Sequence, residues 1–324
     1  MTAVPCPGHP DHANSKRLVA LEGGREIRRC TTCSLVFAHP MPSAAELTAY
    51  YQGFTFGKPT AEAVAKHREI IHANVRKIVE DLKQAGCRFG SALDFGGGLG
   101  YYSDAFADHF DEVALFDLDA EAVDYTKQLF PGRFRVETTR SGEVPTFGRT
   151  YDLIFANQVI EHYTDLDLFF RTLLSAAHED TIFVITTPNN ASANIWVRPD
   201  MLLHYSTVGT PGPLGRISNI AGLARDSWAC CDPPRHVFAF NPENLQMIAE
   251  QHGIATEKVM SMYCTRNYYS PPKYQPASGK SSTSIIRNMV VAPIRAGIRT
   301  LGCFDKDQQR GDDVVFVGKK DKCD

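Results

Sequence analysis

The sequence has no excess of basic charge and no long apolar run, and each absence narrows the possible classes of protein. The formal net charge is -3, so no chain-wide positive field points to nucleic acid or to an anionic membrane. No apolar run reaches the roughly 20 residues of a membrane span. Residues 285–301 come nearest, and Arg287, Arg295 and Arg299 interrupt them. We therefore expect neither a nucleic-acid partner nor stable membrane insertion.

The N-terminus also lacks the basic and apolar segments of a secretory signal peptide, and we expect a cytoplasmic protein. The 324 residues, 43% of them hydrophobic, suffice for one large domain with appendages or for two domains. In a cytoplasmic protein, the nine cysteines indicate thiols or metal ligands rather than disulfides.

Three zones of the chain differ in pattern. We expect residues 1–58 to form a small module with a connector. We expect residues 59–90 to form a linking helix, because apolar residues recur there at helical spacing. Residues 91–324 form the main predicted domain, which begins with short apolar strands alternating with helices. This alternation is typical of a parallel sheet with helices on both faces. Two irregular segments, 189–235 and 265–310, are predicted inserts. The predicted strands are 91–95, 113–116, 134–136, 151–156, 181–186, 254–262 and 314–317.

A glycine-rich turn follows the first of these strands. The stretch 93–100 is Leu-Asp-Phe-Gly-Gly-Gly-Leu-Gly, and glycines at such a turn let the backbone approach a ligand closely. Asp117 ends the next strand, where a carboxylate can accept hydrogen bonds from both ribose hydroxyls. The glycine spacing G-x-G-x-G differs from the dinucleotide pattern G-x-G-x-x-G. Asp94 would repel a pyrophosphate and attract an ammonium group.

In these stretches the chain resembles the class I S-adenosylmethionine-dependent methyltransferases. The matching segments are 93–100, 113–119, 151–165 and 181–189, which correspond in order to the family's first, second, fourth and fifth strand motifs. The resemblance implies a Rossmann-like, mostly parallel seven-stranded α/β sheet whose last strand is antiparallel, here 314–317. It extends to Arg235-His236-Val237-Phe238 and Leu245, which are similar to the family's return from a substrate-covering insert.

The resemblance also implies the residues that contact the cofactor, S-adenosylmethionine. By this likeness Asp117 holds its ribose, and Asn157 and Gln158 line the pocket after the fourth strand. The residues that surround its methionine part are Asp94, Gly96, Gly98 and Gly100. The rings of Tyr101 and Tyr102 are candidates to cover the sulfonium, since a ring face attracts a cation; the alternative is that at least one belongs to the helix core. The expected cofactor-binding residues are Asp94, Gly96, Gly98, Gly100, Tyr102, Asp117, Asn157 and Gln158.

Two histidines are candidates for a general base. His162 follows the fourth strand and His236 follows the insert, and the pKa of histidine suits proton transfer at neutral pH. Each could instead have only a packing or anchoring role. The segment 158–162, Gln-Val-Ile-Glu-His, resembles the E-x-x-E-H pattern with which the ubiquinone-biosynthesis O-methyltransferases can hold a divalent cation. Gln158 replaces the first glutamate and weakens a hard-cation site, so the sequence predicts no catalytic metal.

The N-terminal zone carries a candidate zinc site. Cys6 and His9 form a C-x2-H pair, and Cys30 and Cys33 form a C-x2-C pair about 20 residues later, close to zinc-ribbon spacing. Four such ligands make a closed, structural Zn²⁺ site. His12 is an alternative to His9. The segment also resembles a zinc-binding extension that precedes some bacterial methyltransferases.

The sequence therefore favours a methyltransferase that acts on a small-molecule acceptor, at oxygen or nitrogen rather than at carbon. Transfer would depend mainly on positioning, with a histidine as a possible base. Two alternatives stay open at this point: an NAD-dependent oxidoreductase, and a non-catalytic methyltransferase-like scaffold joined to a zinc module.

Overall fold

A computed structural model describes residues 4–9, 11–52, 59–139, 145–197, 199–209, 212–262 and 309–321. Most of the predicted insert 265–310 lies outside these residues. No helix in the described ranges combines the length and the apolar character that a membrane crossing requires.

The strands are β1 Ser15–Ala20, β2 Glu26–Cys30, β3 Val36–His39, β4 Ser91–Phe95, β5 Glu112–Phe116, β6 Arg135–Glu137, β7 Tyr151–Asn157, β8 Ala177–Pro188, β9 Phe238–Ala239, β10 Ile254–Met262 and β11 Asp313–Lys320. The α-helices are α1 Ala44–Gln52, α2 Ala61–Gln84, α3 Tyr101–Phe106, α4 Ala120–Leu129, α5 Leu166–Ser175, α6 Asn194–Val197, α7 Pro199–Thr207, α8 Pro213–Asp226 and α9 Pro242–Gln251. Short 3-10 turns cover Glu22–Gly24 and Ile160–His162.

Seven strands form the main sheet, in the order β10-β11-β8-β7-β4-β5-β6. The pairs among β4, β5, β6, β7 and β8 are parallel. Strand β11 runs antiparallel to both of its neighbours, β8 and β10. The expected Rossmann-like, mostly parallel α/β sheet with an antiparallel last strand is confirmed. The order reverses between β4 and β7, and at such a switch point a crevice opens beyond the carboxyl ends of the strands.

Alternate residues of the central strands serve two separate cores, because side chains on a strand point to opposite faces. Leu153 and Phe155 of β7 belong to a core with α2 and α3. Ile154 and Ala156 belong to a core with α5 and α9. All four side chains are fully buried. A strand that is buried on both faces has a nearly continuous apolar sequence, and for this reason the main strands could be predicted.

A cluster of charges fixes α2 against α3. The Asp104 carboxylate is fully buried and accepts hydrogen bonds from Arg68, His72 and Arg133 over 2.8, 2.8 and 3.0 Å. These bonds lower the pKa of Asp104 against the opposing effect of burial. The helix that leaves the glycine turn is thereby held in place.

The N-terminal zone contains a four-stranded antiparallel sheet, in the order β1-β2-β3-β9, that the sequence pattern did not predict. Three of its strands lie before residue 40, and β9 comes from the main domain and pairs with β3. Cys6, Cys30 and Cys33 are part of the same buried cluster as α5 and α9. The first zone is therefore continuous with the main core. The division of the chain at residue 58 stays a prediction.

The predicted insert 189–235 is helical rather than irregular. It contains α6, α7 and α8, and Pro213 opens α8 at a position where a missing N–H costs nothing. Trp228, Leu223 and Tyr205 pack with Val19 and Ile27 of the small sheet into a third core. The insert and the small sheet therefore share one packed layer.

Candidate active site

The glycine turn lies at the switch point, between β4 and α3. Gly96, Gly98 and Gly100 all have positive φ angles, of 75°, 52° and 73°. A Cβ at Gly96 would lie 2.6 Å from Val159, whereas a Cβ at Gly98 would meet no atom within 4 Å. Gly98 thus borders open space and is conformationally suited to a ligand that approaches the backbone.

Asp117, at the end of β5, holds this turn. Its Oδ2 accepts the Gly98 N–H over 2.8 Å, and its Oδ1 accepts the Asp119 N–H over 2.8 Å. Asp119 is itself the N-cap of α4. A carboxylate has about four acceptor positions, so Asp117 retains acceptor capacity for a ligand.

Asp94 is almost fully enclosed next to the turn. It is 2% exposed, and its Oδ2 accepts the Ser103 hydroxyl over 2.6 Å. Burial raises the pKa of Asp94 to about 7, against the opposing hydrogen bond from Ser103, and the charge of Asp117 raises it further. A nearby ammonium group would favour the ionised form of such a carboxyl.

Gly97 is a further constrained position that the sequence prediction omitted. A Cβ there would lie 2.7 Å from Asp94 Oδ2 and 2.7 Å from Leu115. The middle glycine of three in a row was a visible signal, but its cause is a contact across the sheet that periodicity does not reveal.

The remaining predicted cofactor residues occupy different surroundings. Asn157 is the last residue of β7 and Gln158 follows it, so both lie at the carboxyl end of that strand. Asn157 Oδ1 accepts the Thr186 hydroxyl over 2.6 Å, and Gln158 has a positive φ of 60°. Tyr102 lies elsewhere: it is buried in the core against Phe155, with ring centroids 5.0 Å apart. The structure thus gives Tyr102 a core position, which was the alternative for this pair.

The two predicted histidines meet beside a buried glutamate. The rings of His162 and His236 have centroids 4.7 Å apart, and His162 Nε2 lies 4.0 Å from Glu161 Oε1. One ligand atom from each of these three residues lies within 4.8 Å of the others. A backbone hydrogen bond of 2.9 Å from Val237 N–H to the Glu161 carbonyl joins the two segments.

Burial changes the protonation of all three groups. It lowers the pKa of His162 to about 4 and that of His236 to about 2, and the charge of Arg235 acts in the same direction. It raises the pKa of Glu161 to about 8. Both imidazoles are therefore neutral at pH 7, with lone pairs available to accept a proton or bind a cation.

Tyr51 is a neighbour that the sequence gave no means of finding. Its hydroxyl lies 3.0 Å from His162 Nδ1, which also lies 3.0 Å from the Arg235 carbonyl. Because Tyr51 belongs to α1, the N-terminal zone supplies part of this wall.

The cysteine pairs come together as a second candidate metal site. Cys6, Cys30 and Cys33 converge with His12 so that one ligand atom from each lies within 4.8 Å of the others. His9, the first choice from sequence, lies outside this group, and its ring packs against that of His12 with centroids 4.4 Å apart. Spacing alone could not separate the two histidines. The structure places the alternative, His12, with the cysteines.

The distances in this group suit zinc. Cys6 Sγ and Cys33 Sγ are 3.7 Å apart, as are Cys30 Sγ and His12 Nδ1. Two sulfurs at tetrahedral angles and about 2.3 Å from zinc would be about 3.8 Å apart. The backbone N–H groups of Thr32 and Cys33 point at Cys30 Sγ over 3.4 and 3.5 Å, which stabilises a thiolate.

Comparison with known proteins agrees with this geometry. A family model described as a methyltransferase domain matches residues 65–259. That span is more than half of the chain and includes the glycine turn, Asp117 and the Glu161 cluster. The chain belongs to this family. Together with the order of the main sheet, this result defines a class I S-adenosylmethionine-dependent methyltransferase and not an NAD-dependent oxidoreductase.

Solved structures of similar topology are distant in sequence. A SAM-dependent methyltransferase from Archaeoglobus fulgidus is 18% identical, with 78% of this chain and 94% of that chain covered and a TM-score of 0.43. An S-adenosylmethionine-dependent methyltransferase from Clostridium acetobutylicum is 10% identical, with 86% and 98% covered and a TM-score of 0.45. A search of curated protein sequences gives no match.

Proposed function

We propose that this enzyme methylates a small-molecule acceptor at oxygen or nitrogen rather than at carbon. The observation that carries the proposal is the arrangement at the switch point. Two acidic side chains flank an open glycine turn, and the Glu161, His162 and His236 cluster follows the neighbouring strand, β7. Parallel strands end at the same edge of a sheet, so cofactor and acceptor would meet there.

The residues at the turn fit S-adenosylmethionine. Asp94 would pair with its ammonium group, Asp117 would accept from its ribose hydroxyls, and Gly98 would let the backbone lie against it. The other contacts we propose are with Gly96, Gly100, Asn157 and Gln158. We leave Tyr102 out of this set, because its ring lies in the core.

The cofactor, when bound, supplies a methyl group that its sulfonium has already activated. The protein then has to hold the acceptor in line and exclude water, and positioning of this kind contributes much of the rate. His162 and His236 are the proposed proton acceptors. Burial lowers the pKa of both groups, so each imidazole is neutral and has a lone pair for the proton that the acceptor gives up.

The small sheet and the insert would enclose the acceptor. We propose that Cys6, His12, Cys30 and Cys33 hold a structural Zn²⁺ that stabilises the small sheet. The insert, residues 189–235, packs on that sheet through Trp228. Together they would form a lid that returns to the main domain at His236.

Two measurements test the proposal. Calorimetry should detect binding of S-adenosylhomocysteine and no binding of NAD. Incubation with S-adenosylmethionine and a fractionated metabolite extract, followed by mass spectrometry, should reveal one compound that gains a methyl group. Binding without any methylated product in exhaustive fractions would favour the non-catalytic scaffold. Absence of S-adenosylhomocysteine binding by folded protein would refute the proposal.

A further inference from the structure

Glu161 is buried with half of its carboxylate unused. It is 1% exposed, and its Oε2 accepts the Thr187 hydroxyl over 3.0 Å. Its Oε1 has no hydrogen-bond partner among the described residues. An unsatisfied carboxylate oxygen in such a site costs several kcal/mol unless a cation or proton occupies its free side, so this atom requires an explanation.

The free oxygen lies beside two imidazoles, and a hydrogen bond orients that of His162. His162 Nδ1 lies 3.0 Å from the Arg235 carbonyl, and an N–H donated there leaves Nε2, on the side of Glu161, with its lone pair. Metal-binding histidines are usually fixed in this way, with one ring nitrogen bonded to a carbonyl and the other bonded to the metal. The ring of His236 lies edge-on to that of His162, with centroids 4.7 Å apart.

The spacing of the three groups is close to that of a metal site. Adjacent donors around a metal with bonds of about 2.0–2.2 Å lie about 3.0–3.5 Å apart. The separation of 4.0 Å between Glu161 Oε1 and His162 Nε2 exceeds this by less than about 1 Å. The ligand atoms of the three residues all lie within 4.8 Å of one another, so the side chains would draw closer together when an ion binds. The backbone hydrogen bond between Val237 and Glu161 keeps the contributing segments together.

We propose that Glu161, His162 and His236 bind a divalent transition-metal ion, such as Zn²⁺ or Fe²⁺. Two imidazoles and one carboxylate suit these ions, whereas Mg²⁺ and Ca²⁺ prefer oxygen ligands. This ligand set differs from the E-x-x-E-H pattern that the segment 158–162 resembles. Gln158 removes a carboxylate, and His236, 78 positions further on, supplies a nitrogen ligand in its place.

Three protein ligands leave open positions for a substrate. Resting on the proposed function, this site selects a hydroxyl compound as acceptor, because a bound cation lowers the pKa of a hydroxyl that it ligates. The hydroxyl proton then passes to water. The oxygen forms its bond to the methyl carbon, and the carbon–sulfur bond breaks with its electron pair remaining on sulfur. This metal site replaces the base role that the proposed function gives to the two histidines, and it keeps that function's cofactor site and its oxygen acceptor.

Cobalt separates this site from the cysteine site. Full-length protein, first loaded with a single equivalent of Zn²⁺ to fill the cysteine site, is titrated with Co²⁺ and followed by visible absorption. We expect one further ion per chain, with d–d bands and without the thiolate-to-cobalt charge transfer that a cysteine site would give. The substitutions E161Q and H236Q should each weaken this binding by more than the roughly 10- to 100-fold that loss of an outer-shell partner costs.

The control is H109Q, which replaces a half-buried histidine outside the cluster and should leave the titration unchanged. S-adenosylhomocysteine affinity and thermal unfolding of the same variants show whether they are folded. Wild-type protein that binds Co²⁺ no more tightly than E161Q and H236Q would overturn the metal site. The methyltransferase proposal would survive that result, because it is judged by cofactor binding.

Discussion

The backbone N–H of Gly98 donates to the carboxylate of Asp117 over 2.8 Å, which ties the glycine turn after β4 to the end of β5. The same carboxylate is the proposed ribose acceptor, so one side chain both shapes the turn and binds the ligand. An asparagine has only one acceptor oxygen and would have to give up one of these roles.

We therefore expect Asp117→Asn to weaken S-adenosylhomocysteine binding roughly 10- to 100-fold, equivalent to about 1.5–3 kcal/mol for hydrogen bonds to a charged group. Calorimetry measures this directly. Asp124→Asn is the matched control, since that carboxylate is 74% exposed on α4. Equal affinity in the two variants would remove Asp117 from the site.

The raised pKa of Asp94 predicts a pH dependence of cofactor binding. A carboxyl with a pKa of about 7 is partly protonated near neutrality, and only its ionised form attracts an ammonium group. The affinity should be constant above pH 7 and should fall up to about tenfold for each unit below it, with uptake of the lost proton by the buffer. Calorimetry in buffers of different ionisation enthalpy counts that proton. In Asp94→Asn the affinity should be lower and the slope should vanish; a variant that keeps the wild-type slope would contradict the assignment.

Gly97 offers a steric test. Gly97→Ala places a methyl group 2.7 Å from both Asp94 Oδ2 and Leu115, so the turn or the carboxylate has to move. We expect a loss of about 1–3 kcal/mol in the free energy of unfolding and weaker cofactor binding. The comparison is Gly222→Ala in α8, where the new Cβ would be 3.6 Å from Trp228 and alanine favours the helix by about 1 kcal/mol. Denaturant unfolding that ranks the two variants in the reverse order would show that the turn is not tightly packed.

Replacing His9 and replacing His12 should affect metal binding differently. His12→Ala should lose the bound Zn²⁺ and lower the melting temperature, since it removes one of the four proposed ligands, whereas His9→Ala should retain the metal. Elemental analysis of the purified variants distinguishes them, with Cys30→Ser as the reference that lacks the metal of the cysteine site. If His9→Ala loses the metal and His12→Ala keeps it, the original sequence assignment is right and the proposed ligand set is wrong.

The limits of sequence-based prediction follow from how each element is stabilised. Strands β4, β5, β7 and β8 are buried on both faces, so their apolar runs were visible locally. Strands β1 and β2 carry charged residues such as Lys16 and Arg28 among their apolar ones and pair within a sheet that β9 completes about 200 residues later. Such non-local pairing leaves no local signal.

The site residues also divide into those that the local sequence reveals and those that only the folded chain brings together. The glycine turn and its acids are contiguous with predicted strands, and their places in the sheet could be anticipated. The approach of His236 to Glu161 depends on the fold of the whole insert. The choice between His9 and His12 depends on a loop of a few residues. Neither contact leaves a periodic pattern in the sequence.

Strand β3 donates from Ala38 N–H to the Val237 carbonyl, and Val237 donates in turn to Glu161, each over 2.9 Å. Main-chain hydrogen bonds thus join the proposed reaction site to the small sheet at the other end of the polypeptide. An exchange of the N-terminal zone between relatives would alter the catalytic wall itself, because Tyr51 and the support behind Glu161 would leave with it. Loss of the proposed Zn²⁺ from the cysteine site would therefore change turnover as well as stability.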